Sequence, residues 1–118
     1  MPTMRIISHQ TAQLKTAEII SDDLLIVNAE DTLQLIVDIY YQGFDRILLF
    51  EKNVTPDFFD LKTRLAGEIL QKFINYKMRL IIVGDFSKYS GQSLKDFIYE
   101  SNKGKQINFL ASFSESHY

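Results

Sequence analysis

Three short, almost wholly apolar runs constrain this chain most: Arg46-Ile47-Leu48-Leu49-Phe50-Glu51, Met78-Arg79-Leu80-Ile81-Ile82-Val83 and Ile107-Asn108-Phe109-Leu110-Ala111. Runs of this length and make-up suit strands of a parallel sheet, whose faces are both covered. Parallel neighbours need a crossover of a dozen or more residues between them, and a segment with helical periodicity precedes each run. The expected fold class is α/β, an N-terminal β-hairpin followed by alternating strands and helices around a mostly parallel central sheet.

The hairpin is predicted over residues 4–8 and 14–20, with His9-Gln10-Thr11 in the turn. Ser21-Asp22-Asp23 makes a further turn, and Leu24-Leu25-Ile26-Val27 is short and apolar enough to join the sheet as a buried strand. Asn28 is placed to cap a first helix, with Asp31 in its first turn, Leu33, Ile36, Val37 and Tyr40 on one face, and Gly43 as its stop. Thr55-Pro56 opens a helix or helical turn at the head of the second helix, because a proline loses no bond at the first helical position. Its stripe of Leu61, Leu65, Ile69 and Phe73, widened by Ala66, Leu70 and Ile74, runs to Asn75. Ser93 is predicted to cap a third helix, with Asp96 in the first turn, Leu94, Phe97 and Ile98 inward, and Gly104 as terminator. Residues from about 112 onward, ending in Ser114-Glu115-Ser116-His117-Tyr118, are expected to fray.

At 118 residues, 46% hydrophobic and 13% aromatic, the chain has material for one self-sufficient core, and no internal repeat or linker divides it. A net charge of −2 gives no cationic field for phosphate backbones or anionic lipid, so neither nucleic acid nor membrane is an expected partner. The absence of cysteine excludes disulfides, thiolate nucleophiles and thiolate zinc sites, and fits a reducing cytoplasm. No apolar signal core opens the chain, and its apolar runs are too short to span a bilayer.

Two stretches carry a resemblance. Residues 55–72, Thr-Pro-Asp-Phe-Phe-Asp-Leu-Lys-Thr-Arg-Leu-Ala-Gly-Glu-Ile-Leu-Gln-Lys, form one, and residues 82–89 with 96–104 form the other. They resemble the bacterial domain-of-unknown-function 4180 family over about residues 17–111, a likeness that implies no activity. The order of elements is also similar to that of STAS domains of anti-sigma-factor antagonists, whose phosphorylated serine lies in Asp-Ser-Ser-Gly at the start of the second main helix. This chain has Asp60-Leu61-Lys62-Thr63 near that place, so only Asp60 matches and the serine switch is missing.

Ligands of open parallel sheets bind outside the carboxyl ends of the strands. That rule selects Glu51, Asn53, Asp85 and Lys88, and helix starts at the same edge add Asp57, Phe58, Asp60 and Lys62 as binding candidates. Asp57 and Asp60 are either ligand contacts or first-turn acids complementing a helix dipole. Asp85 is either a base aimed from a strand end or an Asx turn residue. Lys62, Arg64 and Lys72 either clamp an anion or form a solvated face. Phe58-Phe59 in a helix would turn one ring outward, as a partner-binding hot spot or as cover for a satellite cluster. Gly67, unfavourable within a helix, is expected to mark close packing.

His9 and His117 have no patterned neighbours, and no dinucleotide, P-loop or serine-elbow motif occurs. No catalytic residue, metal ligand or cofactor is predicted. The leading expectation is a non-catalytic regulatory or partner-binding module whose partner is an unidentified protein. The alternative is a small enzyme or small-ligand-binding protein using the acids at the sheet edge on a small polar ligand.

Overall fold

The computed structural model describes residues 4–11 and 13–113. Its centre is one five-stranded sheet in the order of the sequence: β1 (Arg5–Gln10), β2 (Lys15–Ile20), β3 (Arg46–Phe50), β4 (Arg79–Val83) and β5 (Ile107–Leu110). β1 and β2 are antiparallel; β2 through β5 are all parallel. Three helices make the crossovers: α1 (Ala29–Tyr41), α2 (Leu65–Asn75) and α3 (Gln92–Lys103).

Every crossover steps the same way along the sheet, so right-handed connections put all three helices on one face. The core records this alternation. Ala17, Ile19, Ile47, Leu49, Leu80, Ile82, Ile107 and Phe109 pack with Ile36, Ile39, Ile69, Phe73 and Leu94 of the helices. The intervening residues, among them Glu18, Arg46, Leu48, Phe50, Arg79, Ile81 and Val83, point to the helix-free face. Because the strand order never reverses, there is no switch point between helices of opposite faces, which is where the crevice of a doubly wound sheet forms.

The hairpin forms as expected, but its ladder runs to Gln10 opposite Lys15. His9 is therefore a strand residue facing Thr16, not a turn residue. The expected strand at residues 24–27 does not form: its one ladder contact is an isolated bridge between Ile26 and Val54, which lies outside the sheet. β2 already fills the place beside β3. The run instead leads into α1, burying Ile26 completely and leaving Leu24 half exposed.

α1 begins as predicted, with Asn28 accepting from the Asp31 amide at 2.7 Å. Its buried stripe is turned from the expected one and comprises Thr32, Leu35, Ile36 and Ile39, whereas Tyr40 is exposed. Thr32 tolerates burial because its hydroxyl donates to the Asn28 carbonyl at 2.7 Å. α3 is capped by Gly91 rather than Ser93, and buries fully only Leu94.

A helical turn begins at Pro56 as expected, but no unbroken helix runs from it to Asn75. Two 3-10 turns, Pro56–Phe59 and Leu61–Thr63, are separated by an extended Asp60, and Arg64 is left-handed at φ 63° before α2 starts. Side chains replace the helical bonds. Asp60 accepts from the Lys62 amide, and the Thr63 hydroxyl lies 2.8 Å from the carbonyls of both Asp57 and Asp60. Such local partners compete with helix formation.

The break also corrects the expectation for Phe58 and Phe59, which are both buried. Phe59 stacks on Tyr89 at 5.1 Å and Phe58 meets Phe109 at 6.3 Å. Gly67 does not mark close packing: it lies on the exposed side of α2, and an added Cβ would meet nothing within 4 Å. At the other end of the chain, Phe113 packs its ring 5.4 Å from that of His9 and 5.5 Å from the Arg46 guanidinium. Residues 114–118, expected to fray, lie outside the described residues.

Candidate functional site at the carboxyl edge of the sheet

β3 and β4 end side by side, Phe50 opposite Val83, and deliver Glu51 and Gly84 to the same place. The chain after Phe50 makes one 3-10 turn, Glu51–Asn53. After Gly84 it makes another, Phe86–Lys88, which presents Lys88 and Tyr89. Their side chains converge on one carboxylate. Glu51 Oε2 accepts from the Tyr89 hydroxyl at 2.6 Å and pairs with Lys88 Nζ at 2.6 Å. The Glu51 side chain is only 16% exposed, whereas that of Lys88 is 55% exposed, so the pair runs from a buried root to an open surface.

Gly84 makes room for this carboxylate. A Cβ there would stand 2.7 Å from both Cβ and Oε1 of Glu51 and 3.3 Å from the Phe86 ring. Burial, then the hydrogen bond and charge of Glu51, push the Tyr89 phenol well above the ordinary tyrosine range and keep it a donor. Glu51 and Lys52 form a wall between two clefts. One, of about 530 Å³, lies among Leu24, Val54, Pro56, Phe59 and Tyr89. The other, of about 400 Å³, opens on the helix-free face over Ile20, Phe50 and Val83.

Of the residues predicted for a site, the structure joins Glu51 and Lys88. Asn53 is completely buried and structural. Its side chain accepts from the Phe50 amide at 3.1 Å and donates to the carbonyls of Ser21 at 2.8 Å and Asp23 at 3.0 Å. Its own carbonyl accepts from the amides of Leu25 and Ile26. Phe58 is core. Asp60 caps the turn after it, and Asp57 offers its backbone carbonyl to Thr63. Lys62 is exposed. Asp85 accepts from the Ser87 hydroxyl at 2.5 Å and the Ser87 amide at 3.1 Å. These bonds, the hydroxyl first, with Lys88 nearby, hold its carboxyl below the ordinary range. Among the described residues no group of three histidines or acids is arranged to hold a metal ion.

Sequence reasoning missed Tyr89, Gly84 and Leu24. Only Gly84 had a local signal, a glycine immediately after a buried strand where another chain can approach closely. It also missed the helix-free face, where His9 Nε2 lies 2.6 Å from Glu18 Oε1 beside a cavity of about 300 Å³ over Leu48, Phe50 and Val83. Arg46 is 4% exposed there and donates to the Thr16 hydroxyl at 2.9 Å. Burial chiefly, and then Arg79, lower its pKa.

These features define an α/β protein with a one-sided, mostly parallel sheet and a polar cluster at its carboxyl edge. The chain belongs to the DUF4180 family, described as a domain of unknown function, whose pattern it matches over residues 11–117. No curated protein and no solved structure matches it. Among the described residues no helix is long and apolar enough to cross a membrane.

Proposed function

We propose that this protein is a regulatory, partner-binding module that engages another protein through the carboxyl edge of its sheet, around Glu51, Lys88 and Tyr89. The observation that carries the reading is the cleft beside Glu51. An apolar floor of Val54, Pro56 and Phe59 is rimmed by half-exposed Leu24 and by the Glu51–Lys88 pair. Apolar anchors inside a charged rim are the make-up of protein-binding hot spots. The alternative, acid chemistry on a small ligand, draws less support because Asp60 and Asp85 are engaged as caps. A cysteine-free chain suits action in the reducing cytoplasm.

The test is affinity capture from the native cell with wild type, Leu24→Glu, Lys88→Glu and a control at the opposite edge, Tyr41→Asp. The reading expects a stoichiometric partner whose recovery falls at least tenfold with the first two variants and holds with the control. Recovery lost only with Tyr41→Asp would place binding on the other edge.

A further inference from the structure

β5 is an outer strand of the sheet, and such an edge offers amides and carbonyls to any extended chain that meets it. Asn108 and Leu110 turn their backbone groups toward β4, as the bond from the Gly84 amide to the Leu110 carbonyl illustrates. Strand alternation therefore turns those of Ile107 and Phe109 outward. α3 occupies them. The Asn102 carboxamide donates to the Phe109 carbonyl at 2.9 Å and accepts from the Phe109 amide at 2.7 Å. That two-bond exchange is the one a residue of a neighbouring strand would make. Ser101 donates its hydroxyl to the Ile107 carbonyl at 2.7 Å.

We propose that Ser101 and Asn102 close the β5 edge in cis against pairing with a second copy of this chain. Two β5 strands running antiparallel about Asn108 would set Ile107 of one opposite Phe109 of the other. The backbone groups through which they would pair include the three that α3 now holds, so the edge is self-complementary and its complement is blocked. Ile107 and Phe109 are strand-forming apolar residues, the kind whose open edges associate. α3 packs on the core through Leu94, Phe97 and Ile98, with the Phe97 ring 6.0 Å from that of Phe109, and the polar bonds of its last turn fasten that end to the β5 edge.

The experiment compares Asn102→Ala and Asn102→Asp with wild type by light scattering across concentration, with circular dichroism to confirm folding. The alanine variant, which loses both bonds, is expected to rise toward twice the wild-type mass over a range in which wild type is constant. The aspartate variant keeps an acceptor for the Phe109 amide and sets a charge on the edge, so it stays at the wild-type mass. A folded alanine variant that keeps the wild-type mass overturns the proposal. So does equal association of both variants, which would reflect general loss of packing. If Asn102→Ala does not fold, Asn102→Ser, too short to reach both Phe109 groups, is read by the same criterion.

Discussion

Gly67 and Gly84 look alike in a sequence, and their surroundings give them opposite consequences. Gly67 faces open space on a helix, so Gly67→Ala should stabilise the protein by up to about 1 kcal/mol through helix propensity. Gly84→Ala drives a Cβ into the Cβ and Oε1 of Glu51 and should cost about 1–3 kcal/mol by overpacking. Denaturation midpoints that move in opposite directions would bear this out; an increase for Gly84→Ala would mean that Glu51 has another place to go. Tyr89 yields a prediction in pH. Its phenol pKa is raised in the folded state, so its contribution is complete below the unfolded value of about 10 and is lost as pH climbs through the folded one. Urea midpoints should therefore fall above about pH 10, less steeply in Tyr89→Phe. Equal slopes for the two proteins would show that folding does not raise the Tyr89 phenol pKa.

At the scale of elements, the segment between β3 and α2 shows how side chains overrule periodicity. Leu61, Leu65, Ile69 and Phe73 share the spacing of a helix, yet the helix starts only at Leu65. Thr63 sits at the junction. Its hydroxyl contacts the Asp57 and Asp60 carbonyls and accepts from the Leu65 amide at 3.2 Å, while Arg64 at the cap position provides no side-chain bond. Thr63→Ala should then cost about 1 kcal/mol, the usual worth of a helix cap, whereas Thr63→Ser should keep most of it. Chemical denaturation of the two variants checks this, and equal losses would assign the effect to the methyl group. The same segment holds Phe58 and Phe59, whose outward ring was expected on helical geometry that does not apply to a broken 3-10 path.

For the whole molecule, what the sequence determined by itself was local. The runs at β3 and β4 are apolar over four consecutive residues and that at β5 is broken only by Asn108. Asn28 and Asp31 stand at the spacing of a cap, and the parallel connections place Glu51 and Lys88 at one edge whatever the packing. What tertiary structure decided was which layer each apolar group entered and what each polar group bonded. Leu24-Leu25-Ile26-Val27 announces burial but not address, and with β2 already beside β3 it became a lead to α1 with one buried anchor, Ile26. Tyr40 carries the spacing of a core residue, and the rotation of α1 against its neighbours set it outside against Tyr76. Asp60 and Asp85 were eligible as ligands or as cap and turn residues and Asn53 as a ligand contact, because a carboxylate or amide near a strand end serves either purpose. Asp60 and Asp85 bond amides only two residues on, a local choice, whereas Asn53 bonds the Ser21 and Asp23 carbonyls that only the folded chain brings within reach, and a buried polar group left without a partner costs about 1–3 kcal/mol.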